Sequence, residues 1–203
     1  MLEPLLHRTS GLMRIPATCT SPDPERGFTL VEVLTTLGVL AVSLSLVVPS
    51  LERVTQSNLR ATTINELVTT LHVARSEALA RNATVAICPS ADGQTCARVP
   101  WEAGWIRFID SNRNYRADDG EAVLGSAPAT EGLEIHTAAF ATAFAYGPTG
   151  RVSSPGAVQG GGDFLFCGTA GGMAPQVVLV SALGQPFLAD QRADGRPADC
   201  DTA

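Results

Sequence analysis

Arg26-Gly27-Phe28-Thr29-Leu30-Val31-Glu32-Val33 opens an apolar run that continues to Val48. The 21 residues from Phe28 to Val48 contain no Lys, Arg, Asp or Pro, and their single charge is Glu32. A helix needs ~20 such residues to cross a bilayer. The order of features matters more than the length. A secretory signal peptide places its apolar core first and its small-residue cleavage site afterwards. Here the small residue, Gly27, precedes the apolar run and follows a polar leader containing Pro16, Pro22 and Pro24. A cut after Gly27 leaves the apolar helix on the mature chain as its N-terminus.

Gly27-Phe28-Thr29-Leu30-Val31-Glu32 resembles the leader junction of type IV prepilins and type II secretion pseudopilins. The resemblance implies a cut after Gly27, with Phe28 as the new N-terminal residue and Glu32 four residues beyond it. Pro49 stands where the helices of that family commonly kink. The family further implies cleavage and N-methylation by a prepilin peptidase, an inner-membrane waiting state and polymerisation into a helical filament. A start at Met13 instead of Met1 would shorten the leader and leave the mature chain unchanged.

The chain has 203 residues, enough for one compact domain and an anchor. Lysine is absent, so all 14 basic residues are Arg, against 20 acids and a net charge of −6. Removing residues 1–27 takes three of each sign and leaves the balance acidic. Non-specific nucleic-acid binding is driven by neutralising phosphates, and an acidic head is a poor footprint for it. Aromatics are 5% of the chain, while Gly and Pro are abundant, which points to short strands and many turns.

Cleavage at Gly27 also changes the cysteine arithmetic. It removes Cys19 and leaves Cys88, Cys96, Cys167 and Cys200, an even number suited to two disulfides in an oxidising compartment. Four cysteines allow three connectivities. Proximity in sequence favours Cys88–Cys96 and Cys167–Cys200, the second tying the C-terminal tail to the sheet. Zinc is the rival reading, but no pair has the tight C-x2-C spacing of a structural site.

After Pro49 the pattern turns amphipathic. Ile64, Leu67, Val68, Leu71, Ala74 and Ala78 recur at the spacing of one helical face, with Glu52, Arg53, Asn65, Glu66, Arg75 and Arg81 off that stripe. The pattern predicts one helix from about Thr29 to Asn82, bent near Pro49 because proline removes a hydrogen bond there. From Thr84 the period shifts to strands, expected at 84–88, 104–109, 121–126, 132–137, 142–147, 163–167 and 176–182. The expected fold is α+β, a long N-terminal helix packed on an antiparallel β-sheet head. Its divisions are a cleaved leader (1–27), a transmembrane or filament-core helix (28–49), an amphipathic continuation (50–82) and a periplasmic β-rich head (83–203).

Within the head, Ile87-Cys88-Pro89-Ser90, Asp92-Gly93, Cys96 and Gly104-Trp105-Ile106 with Phe108 and Asp110 resemble the GspH/FimT group of minor pilins and pseudopilins. Gly150-Arg151-Val152, Phe164-Leu165-Phe166-Cys167 and Val177-Val178-Leu179-Val180 are similar to the closing strands of that group. The resemblance implies a structural subunit whose partners are other minor pilins or pseudopilins, the major subunit, the prepilin peptidase and the inner membrane.

Glu32 is the leading candidate for chemistry. A carboxylate at mid-bilayer costs about 2.5–3.5 kcal/mol on insertion scales, less near a helix end. A snorkelling acid is the plain reading. The sharper one pairs Glu32 with the free α-amino group of Phe28 on a neighbouring subunit, in a dry helical core. Asp110 to Glu121 has oxygens at the spacing of a calcium loop, but Tyr115 stands where the sharp turn needs Gly, and Arg113 and Arg116 add positive charge. An Asx-rich hairpin turn is favoured over a metal site.

Some FimT-type pilins capture DNA through a Gly-Arg-x-Arg segment. The matching stretch here reads Gly184-Gln185-Pro186-Phe187, and the later Arg192 and Arg196 stand among Asp190, Asp194, Asp199 and Asp201. DNA capture is therefore the lesser alternative. His72 and His136 lie outside any hydrolase or zinc-protease motif, and no phosphate-binding loop appears, so neither a catalyst nor a cofactor is expected.

Overall fold

The computed structural model describes residues 27–155, 161–169 and 174–201; the side chains of 46–53 lie outside the described set. The chain divides into two units, residues up to Leu44 and Ser45–Ala203. One helix, α1 (Leu30–Arg81), runs from the first into the second. The described strands are β1 (Val85–Pro89), β2 (Trp105–Ile109), β3 (Val123–Ala127), β4 (Leu133–His136), β5 (Phe144–Tyr146), β6 (Val152–Ser153), β7 (Gly162–Gly168), β8 (Gln176–Val180) and β9 (Pro186–Ala189). They form two antiparallel sheets, ordered β3-β2-β1-β5-β6 and β4-β7-β8-β9.

The ends of α1 follow from local chemistry. Thr29 caps the start: its carbonyl accepts the Val33 N–H and its hydroxyl the Glu32 N–H, each at 3.2 Å. Asn82 ends the helix with a φ of 50°, and the Ala83 N–H reaches back to the Ala78 carbonyl at 3.2 Å. Asn tolerates this left-handed position, and the reach-back bond satisfies a carbonyl that the helix leaves open.

The amphipathic stripe packs as its spacing requires. Leu67, Leu71, Ala74 and Ala78 are fully buried and Ile64 nearly so, in one core with Ile87, Trp105, Phe144 and Tyr146 of the first sheet and Phe164, Phe166, Val178 and Val180 of the second. Trp101 and Phe164 meet edge to face at 5.0 Å, and Phe140 and Phe144 lie 4.4 Å apart. Both indole N–H groups are satisfied inside, Trp101 by the Phe140 carbonyl (3.0 Å) and Trp105 by the Thr70 hydroxyl (3.2 Å). The core is thus shared by the helix and one face of each sheet.

Alternation along the strands turns the intervening residues to the opposite faces. On the first sheet these are Ala86, Cys88, Ile106, Phe108 and Ala145, covered by Cys96, Tyr115 and Ala117 from two loops. On the second they are Leu165, Cys167, Val177 and Leu179, covered by Ala198 and Cys200 from the tail. One disulfide fixes each cover: Cys88–Cys96 with 5.5 Å between Cα atoms, and Cys167–Cys200 with 5.8 Å.

Two strands have no counterpart among those read from the sequence. Strand β6 has two residues, too few to show alternation, and β9 begins with Pro186 after a tight turn. The expected membrane span includes residues 46–49, and the expected bend rests on Pro49; their side chains lie outside the described residues. Among the described residues, no helix is long and apolar enough to cross a membrane.

Replacing Cys167 and Cys200 by Ser together should cost about 2–4 kcal/mol of stability. Thermal unfolding of the purified chain should show a lower midpoint, with earlier proteolysis near residues 190–201. An unchanged midpoint would mean that the tail is held without the bond.

Candidate functional site

Three places carry the residues singled out from the sequence: the start of α1, the arginine-bearing tail and the 110–121 loop. Gly27, Phe28 and Thr29 precede the helix, and Phe28 is 82% exposed. Glu32 is exposed in the first turn. A carboxylate there faces the positive end of the helix dipole, which favours it. The neighbouring side chains Leu30, Val31, Leu34, Leu37 and Leu40 are all more than half exposed. The polar residues in this run fold back on their own helix: the Thr35 hydroxyl donates to the Glu32 carbonyl, Thr36 to Val33 and Ser43 to Val39, at 2.8–3.0 Å. Self-satisfied hydroxyls let an otherwise apolar surface enter a water-poor setting without orphaned donors. Sequence reading identified Glu32 but not the capping role of Thr29, although Thr-x-x-Glu is the spacing of a capping box.

The tail arginines are both engaged. Arg192 donates through Nε to Asp163 Oδ2 at 2.9 Å, and the two side chains are only 10% and 7% exposed. Arg196 donates through Nε to Asp194 Oδ2 at 2.6 Å. This bond heads the influences that hold the Asp194 carboxyl below its usual pKa. The Arg192 guanidinium is therefore not a free phosphate contact, whereas Arg196 is 66% exposed beside the acid that accepts from it. Asp163 was not singled out from the sequence, since only the pairing of β7 with β8 and the return of the tail bring it to Arg192.

The 110–121 loop closes on itself. The buried Asp110 accepts the N–H of Asn114 (3.1 Å) and Tyr115 (3.0 Å), and the Asn112 and Asn114 amides donate to Asp118 Oδ2. The amide of Asn112, then that of Asn114, holds the Asp118 carboxyl below its usual pKa. Glu121 accepts the N–H of Ser111 and Asp118. The side-chain oxygens thus serve the turn, and Arg113 and Tyr115 take the left-handed backbone positions. Among the described residues no cluster of His, Cys, Asp and Glu is placed to hold a metal ion. His72 is exposed on α1, and His136 Nε2 lies 3.3 Å from Glu134 Oε2 without hydrogen-bond geometry.

A fourth place, absent from the sequence reading, joins the helix to both sheets. Arg75 donates through Nε to the Gly150 carbonyl at 3.2 Å, and Gly184 packs so closely that a Cβ would lie 2.2 Å from the same oxygen and 2.8 Å from the Tyr146 ring. Gly184 also has a φ of 78°, so both conformation and space demand glycine. Burial raises the pKa of the Tyr146 hydroxyl, with Arg75 opposing.

A family model described as "Type II transport protein GspH" matches residues 63–184, more than half of the chain. The chain belongs to the GspH family. A "Prokaryotic N-terminal methylation motif" matches residues 23–48, which include Gly27, Phe28 and Glu32. The pilin-like protein PilA1 of Thermus thermophilus is 36% identical over 97 residues, 48% of this chain and 56% of the relative. The chain thus spans about half the length of that curated relative. The crystal structure of the Pseudomonas aeruginosa type IV minor pilin FimU matches with a TM-score of 0.51 at 18% identity, over 69% of this chain and 93% of that one. The minor pseudopilin EpsH of Vibrio cholerae gives a TM-score of 0.43 at 10% identity, over 64% and 94%. At such identity the FimU likeness speaks for the fold.

Removing one partner of the Asp163–Arg192 pair should be worse than removing both. Asp163→Ala leaves a nearly buried guanidinium uncompensated, a loss of about 3–5 kcal/mol, whereas Asp163→Leu with Arg192→Leu should lose less. Urea unfolding of the two variants checks the order, and equal losses would contradict it.

Proposed function

We propose that this chain is a minor subunit of a type IV pilus or of a type II secretion pseudopilus. The observation that carries the reading is the combination within residues 23–48: the Gly27–Phe28 junction lies outside the helix, a capped apolar helix follows, and Glu32 sits in its first turn. A GspH-family head on the same chain supports it.

In this reading residues 1–27 are a leader removed by a prepilin peptidase, which also methylates the new amine on Phe28. Residues 28–49 are the inner-membrane and then filament-core segment, and 50–82 continue into the periplasmic head. Assembly moves the apolar surface of the first half of α1 from lipid into a bundle of neighbouring helices, so its exposed Leu and Val side chains exchange one apolar environment for another. Packing and the pairing of polar groups then decide association, because lipid supplies no hydrophobic drive between helices. Glu32 takes the α-amine of Phe28 on an adjacent subunit, which neutralises both charges in the dry core. Other minor subunits and the major subunit are the partners of the head.

The chain acts as a structural subunit and not as a catalyst. DNA capture is disfavoured by the engaged states of Arg192 and Arg196 and by Gln185-Pro186 after Gly184.

Mass spectrometry of the chain recovered from a host with a prepilin peptidase should find N-methylated Phe28 as the first residue. An intact leader, or a cut beyond the apolar run, would refute the reading. Glu32→Ala should still be processed, yet its recovery in sheared filaments should fall at least ten-fold. Undiminished incorporation would remove the pairing role.

A further inference from the structure

The apolar helix does not begin at the scissile bond. Gly27, Phe28 and Thr29 are non-helical, and α1 starts at Leu30 because Thr29 accepts two first-turn N–H groups, Val33 through its carbonyl and Glu32 through its hydroxyl. Only Thr, Ser, Asp or Asn side chains make the second of these bonds well. The sequence carries another start signal upstream. Asp23-Pro24-Glu25 has an N-cap residue, a proline suited to the first helical position and an acid for the first turn. A helix begun at Asp23 would hold the Gly27–Phe28 bond inside its first turns. One begun at Thr29 leaves that bond outside. Gly27 alone does not enforce this: it has no left-handed φ, and a Cβ on it would meet nothing within 4 Å.

We propose that Thr29 is a positioning residue for leader removal: its cap fixes the helix start two residues beyond the scissile bond and keeps Gly27–Phe28 outside the helix for the peptidase. Proteolysis of a bond that opens and closes rapidly follows the population of its open form. Weakening the cap lowers the population in which the scissile bond lies outside the helix, and cleavage slows with it. This inference rests on the cut after Gly27 proposed above.

The test follows leader removal over time from the full-length chain in membranes holding a prepilin peptidase, for the wild type and four variants. Thr29→Val keeps the side-chain shape and loses the cap, whereas Thr29→Asp changes the shape and charge and keeps the cap. Thr29→Ser is the conservative rescue. Asp23→Ala in the Thr29→Val background removes the competing start. Capping predicts wild-type rates for Ser and Asp, cleavage slower by up to about five-fold for Val, and recovery in the double variant. If the peptidase instead reads the Thr29 side chain by shape, Val cuts normally, Asp cuts slowly and Asp23→Ala rescues nothing, which overturns the proposal. Equal rates for all variants overturn it as well. A wild type that is never cut after Gly27 overturns the functional reading itself, so the two failures are distinguishable.

Discussion

Burial of a single stripe on α1 is the constraint on which the rest of the head depends. Leu67, Leu71, Ala74 and Ala78 are wholly removed from solvent, in one cluster with the aromatic side chains of both sheets. Trp105 reaches across to hydrogen-bond Thr70 on the same helix, so the indole is positioned as well as buried. Because both sheets lend one face to this core, neither has a complete hydrophobic environment without the helix. A small number of aromatic residues suffices, since six of the eleven in the chain gather there: Trp101, Trp105, Phe140, Phe144, Tyr146 and Phe164 form a connected set of ring contacts.

A sheet that gives one face to a core must still deal with the other. Here both outer faces carry apolar side chains, and each is closed by a segment without regular structure. Such segments have little intrinsic reason to stay in place. The disulfides supply one, by fixing Cys96 over the first sheet and Cys200 over the second. Local polar chemistry adds to this. Asp92 accepts the hydroxyls of Thr95 and Ser90 and the N–H groups of Gln94 and Thr95, with the Thr95 bonds foremost in holding its carboxyl well below the usual carboxylate range. The Asp163–Arg192 pair acts similarly near the tail. The head thus relies on covalent and ionic ties where its loops lack hydrophobic area.

The two units face different physical demands. From Leu30 to Leu44 the helix exposes Leu and Val side chains, and the Thr35, Thr36 and Ser43 hydroxyls bond back to its own carbonyls. From Ile64 onward the same helix buries only one stripe, as in any globular domain. A continuous helix can serve both because the backbone satisfies its own hydrogen bonds in either setting. The cap at Thr29 and the left-handed Asn82 confine that helix at its two ends.

Local pattern alone carries the order of the apolar run after Gly27, the helical stripe from Ile64 to Ala78, seven of the strands and the grouping of the cysteines into neighbours. These are legible because each depends on local spacing, which periodicity preserves in one dimension. The chain holds five cysteines, four of them after the Gly27–Phe28 junction, and Glu32 is the single charge in the run that follows it. Tertiary structure decided what depends on distant segments meeting. It split the strands into two sheets and placed β6 and β9, strands too short or too irregular to signal themselves. It paired Arg192 with Asp163 across 29 positions, which withdraws a guanidinium that the sequence left open for phosphate. It also brought Gly184 against Gly150 and Tyr146. Charge pairing and close backbone approach are properties of three-dimensional proximity, and no spacing along the chain records them.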